Sequence, residues 1–364
     1  MIRTLAGLLL FCLTASSQQA QETRPLRLAI AGLVHGHVAS FLQAAKARKD
    51  VQIVGVFDPD AALTASYAKT GSLAPEVVFN NLAAMLDTVK PEAVAIFTNT
   101  YDHAMVVEAC ASRRIPAMME KPLAVNVAQA RAILKAAADS GIPVMVNYET
   151  TWYKSHAEMW KTVKEQKAVG EIRKMVAMDG HQGPKEINVQ PEFLAWLTDP
   201  VKGGAGALFD FGCYGANLMT WLMDNRPPLA VTAITQTDKP SIYPRVDDEA
   251  TVLLRYPTAQ GIIQGSWNWP VGRKDLEVYG QTGYAIATGG DSLKVRLPGR
   301  AEAVRPLADL PPDAHDSITY FTGVARGKFK PAGLNSLENN VIVVEILDAA
   351  RESARTGRTV SLGK

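Results

Sequence analysis

The strongest constraint on the fold lies between Leu26 and Asp58. An apolar run from Leu26 ends in Gly32, a helical pattern covers Val38 to Ala47, and a second apolar run, Val51 to Phe57, ends in Asp58. Strand, glycine turn, helix, strand and acid in that order make a βαβ unit. The start of its helix suits a pyrophosphate, and its acid suits ribose hydroxyls. The glycines depart from the usual spacing: Val34 and His37 hold the second and third positions, and a glycine stands instead at Gly36. Gly32, His35, His37 and Asp58 are therefore the expected contacts of a dinucleotide. The acid favours NAD over NADP, because its charge repels a 2′-phosphate. The two histidines either donate a ring N–H to phosphate or substrate, or pack and cap the turn. With no carboxylate or cysteine at ligand spacing beside them, no metal is expected.

Strands and helices go on alternating. Helical patterns at about 82–89, 104–113 and 127–140 separate apolar runs at 93–97, 116–119 and 143–147, which predicts a doubly wound parallel sheet over residues 25–147. The run at 116–119 opens onto Glu120-Lys121-Pro122, so the charged pair stands where a parallel strand ends, along the edge where such sheets bind ligands. Pro122 fixes that turn. Lys121 can titrate or polarise a carbonyl there if its pKa is brought below the ordinary value of about 10.4. Thr98, Asn99 and His103 follow the strand at 93–97 and share the edge. With Glu120 and Lys121 they complete the expected cofactor contacts.

Beyond Tyr148 the pattern changes. After a helix at about 156–165 come a strand through Met178, a loop at 180–184 and further strands starting near Val231, Ala250, Gly261 and Leu276 with no helices between them. Residues 148–364 are thus expected to form an α+β domain with an open, mainly antiparallel sheet and a long final helix, 337–355. The formal net charge of +2 points to neither nucleic acid nor an acidic membrane. No segment after residue 20 is apolar for long enough to span a bilayer. Residues 1–20 read as a leader, with Arg3, an apolar stretch from Leu5 to Ala15 and small residues after it, so an exported protein is expected. Cys110 and Cys213, in apolar surroundings, are expected to be buried thiols.

A second constellation runs from Gly203 to Tyr214. Read as one helix continuing to about Met223, it puts Asp210 and Tyr214 one turn apart on one face. A carboxylate beside a phenol suits acid–base work on an alcohol or ketone, and equally suits a capped core helix with a buried tyrosine. The aromatic-rich stretch 146–153, Trp196 and Trp267-Asn268-Trp269 either wall a pocket that stacks a sugar ring or belong to the core. Arg273-Lys274-Asp275 is a charged contact for an acidic sugar or a solvated turn.

Together the glycine turn, Thr98-Asn99, Glu120-Lys121-Pro122, Val169-Gly170-Glu171-Ile172 and Gly203 to Tyr214 resemble the Gfo/Idh/MocA oxidoreductases. The resemblance spans about residues 26–355. It implies a Rossmann domain joined to an open antiparallel sheet, with a nicotinamide dinucleotide at the junction. It also implies a catalytic role for Lys121, a substrate-facing acid at Asp210, and Tyr214 where many members carry histidine. The substrate it implies is a sugar or cyclic polyol. The aromatic and charged stretches and the loop at 180–184 supply Trp152, His181, Trp196, Asn268 and Arg273 as candidate contacts, and the broad face of the antiparallel sheet suits a homodimer or homotetramer. Two other functions fit the same residues: cleavage of a glycoside through transient oxidation with the cofactor returned, and a carbohydrate-binding protein without catalysis.

Overall fold

The computed structural model describes residues 24–70 and 72–362, so the expected leader lies outside the described residues. The first sheet is built from β1 (Leu26–Ala31), β2 (Val51–Phe57), β3 (Val78–Phe79), β4 (Ala93–Ile96), β5 (Ala117–Glu120) and β6 (Val144–Asn147). Helices α1 (Val38–Lys46), α2 (Ala61–Lys69), α3 (Leu82–Val89), α4 (His103–Ala111) and α5 (Val127–Ser140) connect them. The strand order is β3-β2-β1-β4-β5-β6 and every pair is parallel. β4 and β5 are buried at every position, as strands covered by helices on both faces must be. The order reverses between β1 and β4, and that switch point is where such sheets bind ligands.

The second domain starts with α6 (Lys154–Trp160), which continues as one π-helical turn, Lys161–Glu165. Next come β7 (Ile172–Gly180), α7 (Pro191–Leu197), α8 (Ala207–Asp210) and α9 (Gly212–Leu222). The remaining strands are β8 (Ala230–Gln236), β9 (Glu249–Arg255), β10 (Gln260–Ser266), β11 (Arg273–Gly280), β12 (Tyr284–Thr288), β13 (Ser292–Arg296) and β14 (Ala303–Val304). Helices α10 (Ser317–Ala325) and α11 (Leu337–Thr356) precede a last short strand, β15 (Val360–Ser361). These strands form a nine-stranded sheet in the order β14-β13-β12-β11-β7-β10-β9-β8-β15. Only β7 and β10 pair in parallel, so the sheet is mixed but mostly antiparallel. Burial alternates along β9 and β13, so one face is covered and the other is not.

Two departures from the sequence reading matter. The helix expected to carry both Asp210 and Tyr214 is broken at Phe211, and β10 packs closely against the break: a Cβ on Gly265 would stand 2.7 Å from Gly212 N and 2.9 Å from Ala207 O. In addition, α10 packs back onto the first domain, where Ile318, Phe321 and Val324 join the core of β1, β2 and α1.

Candidate active site

Lys121, at the end of β5, reaches across the domain junction. Its Nζ donates to Asp210 Oδ1 at 2.6 Å and to the Asp210 carbonyl at 2.7 Å. The helix break makes the second bond possible. Tyr214 N–H bonds to Phe211 O, which leaves the Asp210 carbonyl free of a helical partner four residues on. Trp267 Nε1 donates to the other carboxylate oxygen at 2.9 Å. Both side chains of the ion pair are 7% exposed. Burial pushes the Lys121 pKa down, but the Asp210 charge, Cys213 and the direct hydrogen bond outweigh it, and the net shift is upward. The condition for a lysine that titrates near neutrality, a lowered pKa, is thus not met: Lys121 is a cation. Burial also opposes the Asp210 charge, and Lys121 and His181 together bring its pKa below the ordinary value. An ammonium has three donors, and two of them are engaged here.

Tyr214 is buried beside this pair. Its ring lies 4.9 Å from Lys121 Nζ and 5.0 Å from Lys274 Nζ, within cation–π range of both. Burial, with Glu149 next, raises its pKa well above the phenol value, so it acts as a neutral phenol. Lys274 donates to Glu149 Oε2 at 2.7 Å, and Tyr153 Oη donates to Glu149 Oε1 at 2.6 Å. These groups, with His181 and Phe211, line a cavity of about 610 Å³. His181 Nδ1 accepts from Gly183 N at 3.0 Å, so the neutral ring carries its proton on Nε2; burial keeps the ring pKa below the ordinary value. A larger cleft, about 770 Å³ around Lys164, Met223 and Tyr256, contains none of the expected site residues.

The glycine turn fits a dinucleotide. Gly32 has φ +95°, and a Cβ there would stand 2.5 Å from Thr98 N, so only glycine allows β1 and β4 to approach at the switch point. No side chain caps the start of α1, and His35 Nε2 is buried with no partner. Asp58 has a structural task within the turn. Its oxygens accept from Leu33 N at 2.7 Å and Asp60 N at 2.9 Å, and the residue is 1% exposed, so it pins the turn to the end of β2. Burial raises its pKa.

His37 Nδ1 lies 3.2 Å from Glu120 Oε2, and Asn147 Nδ2 donates to Glu120 Oε1 at 2.8 Å. Burial opposes the Glu120 charge, yet His37, His35 and Asn147 hold its pKa at about 2. For His37, burial opposes protonation but Glu120 outweighs it and the pKa is raised. Glu120 therefore supplies the carboxylate whose absence near the two histidines argued against a metal. Ligand atoms of His35, His37 and Glu120 lie within 4.8 Å of one another. His35 Nδ1, however, accepts from His37 N at 3.2 Å, and that places its proton on Nε2 in the neutral ring. The trio as it stands is a hydrogen-bonded brace of the turn.

The other expected residues have partners of their own. Trp152 donates to Asn147 Oδ1 at 3.0 Å and packs on Tyr320, so it steadies the Glu120 brace. Asn268 donates to Asp248 and Glu249 at the start of β9. Arg273 lines the cavity but is tied to Asp275 at 2.7 Å and lies over Trp269. Trp196 packs on His35, its indole donating to Val34 O at 3.0 Å. Asn99 caps the turn that follows it, and Thr98 bonds to Asn99 O. His103 Nδ1 faces Leu123 O below the Glu-Lys-Pro turn. Cys110 and Cys213 are free buried thiols.

Trp267, Glu149 and Tyr153 lie in stretches that the sequence leaves open between pocket wall and core, and Lys274 was passed over for its neighbour. Strand alternation was the available signal. Lys274 pairs in register with Asp179 on the covered side of the sheet. Asp179 is itself fully buried, neither oxygen has a partner, and burial pushes its carboxyl well above the ordinary range.

Comparison with known proteins agrees with this architecture. Residues 26–148 match a family described as "Oxidoreductase family, NAD-binding Rossmann fold", and residues 156–286 match the "GFO/IDH/MocA C-terminal domain". A trans-1,2-dihydrobenzene-1,2-diol dehydrogenase of Sus scrofa is 24% identical over 237 residues. The match covers 65% of this chain and 65% of the length of that relative, just under two thirds. A D-apiose dehydrogenase of Rhizobium rhizogenes is 24% identical over 304 residues, 78% of this chain and 83% of that one. Two solved structures share the fold. An aldose-aldose oxidoreductase from Caulobacter crescentus complexed with glycerol has TM-score 0.78 at 21% identity, covering 93% of this chain and 100% of its own. An inositol dehydrogenase homolog from Azotobacter vinelandii complexed with NAD+ has TM-score 0.79 at 18% identity, covering 93% and 98%.

Proposed function

The chain belongs to the Gfo/Idh/MocA oxidoreductase family, with an NAD-binding Rossmann domain, and from that premise we propose that it oxidises or reduces a neutral sugar or cyclic polyol. The observation that carries this reading is the convergence of Lys121, Asp210 and Tyr214, from distant parts of the sequence, beside one cavity. Gly32, the start of α1 and the braced His35 and His37 would hold an NAD molecule. A bound nicotinamide supplies the hydride transfer.

The remaining work falls to the side chains. Lys121 directs its third N–H at the reacting oxygen, while Asp210 and Trp267 fix its position. In the reductive direction the ammonium gives the proton that the carbonyl oxygen needs. In the oxidative direction the same nitrogen must first lose a proton, and its pKa lies above the ordinary lysine value. Oxidation should therefore speed up as pH rises into the alkaline range, while reduction holds steady until Lys121 deprotonates. Tyr214 remains protonated throughout and donates to the substrate.

Neutrality of the substrate follows from charge balance. Lys121, Lys274 and Arg273 each have their own carboxylate partner, in Asp210, Glu149 and Asp275, which leaves no spare cation for an anionic group among the described residues of the cluster and cavity wall. Relatives named for apiose and aldoses point the same way. The test is to mix the purified chain with NAD and a panel of neutral sugars and polyols and to follow reduced nicotinamide. Turnover that requires Lys121 supports the proposal; cofactor binding without turnover of any panel member sinks it.

Glycoside cleavage with the cofactor returned draws on the same cavity, whose walls at Tyr153, Gly272 and Gly289 extend beyond the reactive cluster and leave room for a substituent. Release of an aglycone without net reduction would single it out. Export remains part of the proposal, on the strength of residues 1–20 alone.

A further inference from the structure

We propose that α7, a helix of the second domain, completes the dinucleotide site and closes over the bound cofactor, so that the cofactor exchanges slowly. This rests on the NAD-dependent reading above. The contacts of α7 with the glycine turn carry it. Trp196 Nε1 donates to the Val34 carbonyl at 3.0 Å, and its ring lies 5.7 Å from that of His35. Phe193 lies 5.0 Å from the same ring. A Cβ on Gly36 would stand 2.9 Å from Phe193 Cδ1 and 3.3 Å from Gln190 Oε1. The unusual glycine at position 36 is thereby explained, because it makes room for α7.

At the other end of the site, Glu192 lies near enough to Asp58 and Tyr67 to disfavour their ionisation. The helix therefore spans the distance from the phosphate turn to the acid of β2, the stretch along which a βαβ unit holds a pyrophosphate and its ribose. Asp58 itself is engaged by the backbone amides of Leu33 and Asp60. Seated in this way, α7 covers the backbone that the phosphates must reach, and it has to lift for a dinucleotide to enter or leave. The chain on either side is suited to that motion. Gly183 and Asn188 precede α7 with φ of 128° and 63°, and Gly203 and Gly204 follow it, the latter with φ 90°. Short segments of this kind absorb the backbone rotation of a closing loop.

The test reads cofactor release and not turnover. Full-length protein loaded with NADH is mixed in a stopped-flow instrument with excess NAD+, and the loss of bound-nicotinamide fluorescence gives the off-rate. Phe193→Ala and Trp196→Ala should each release NADH at least tenfold faster than the parent. Gly36→Ala, which pushes the ring of Phe193 away, should do the same. Phe193→Leu, a milder change, serves should either alanine variant fail to fold. Limited proteolysis between residues 184 and 203 should slow when NADH is added. Unchanged off-rates in folded variants overturn the role of α7 and leave the oxidoreductase reading intact. A parent chain that binds no NADH overturns the cofactor reading, and this inference with it.

Discussion

At the end of β5, Lys121 meets the second domain through charge: two short hydrogen bonds to Asp210, a third to that carboxylate from Trp267, and two ammoniums against one phenol. At the end of β1, the turn from Gly32 to His37 meets the second domain mainly through packing of Phe193 and Trp196, with a single hydrogen bond. A reaction centre needs groups fixed to a fraction of an ångström, which directional bonds in a dry site provide. A binding turn must also let its ligand go, and aromatic contact with one neutral bond is easier to break and remake. The contrast separates what is rigid in this molecule from what has to move.

The contrast can be broken most directly at Lys121. Lys121→Met keeps the bulk, removes the proton donor and strands a buried carboxylate. Turnover should fall roughly 10²–10⁴-fold, with stability lower by about 3–5 kcal/mol. Initial rates and urea unfolding measure the two, and a variant of near-normal activity would end the mechanism. Gly32→Ala comes next. A Cβ at φ +95° and 2.5 Å from a backbone nitrogen should cost about 1–3 kcal/mol from overpacking alone, and should abolish NADH binding in a titration. Gly141→Ala is its control: φ is +71°, nothing lies within 4 Å, and about 1–2 kcal/mol of backbone strain is the only expected loss.

Trp267→Phe sharpens the charged side. Losing a hydrogen bond to a charged group is worth about 1.5–3 kcal/mol, so kcat should drop roughly ten- to hundredfold with KM little changed. The smallest effect expected is on acid stability. Burial holds His103 and His156 at a pKa of about 4, against 6.5 for an ordinary histidine. As pH falls from about 6.5 towards 4, the unfolded chain takes up protons that the folded chain refuses, and stability declines. Near pH 5.5 each should cost about 1.4 kcal/mol, measurable as a fall in urea midpoint that His156→Gln reduces. Below that range Glu120, held at about 2, continues the loss as the unfolded carboxyl protonates first.

Local pattern revealed the skeleton of the molecule. Apolar runs and glycine positions located β1, β2 and β4 to β6, and helix α5 falls on the expected residues because Asn126 caps its start and Gly141 ends it at φ +71°. The same pattern put Lys121 on the edge shared by Thr98 and Asn99, and the family resemblance added Asp210 to it. The pattern could not reveal the break at Phe211, which packs beside a glycine 54 residues away on β10. Nor could it tell Lys274 from Arg273, since one step along a strand decides which of them faces Tyr214. The aromatics were ambiguous for a related reason. Trp267, Trp152 and Trp196 all carry an N–H that needs a buried partner, and only the folded chain shows that these are Asp210, Asn147 and Val34.

The return of α10 to the first domain bears on how this protein can be cut. Arg48 bonds to Asp316 and Thr319 at its start, and Ile318, Phe321 and Val324 sit in the same apolar cluster as Leu28, Val38 and Phe41. A fragment ending before residue 316 would leave that face bare and tend to aggregate. The nucleotide half is therefore not a portable module: its last wall is supplied by chain synthesised some 170 residues after its own final strand.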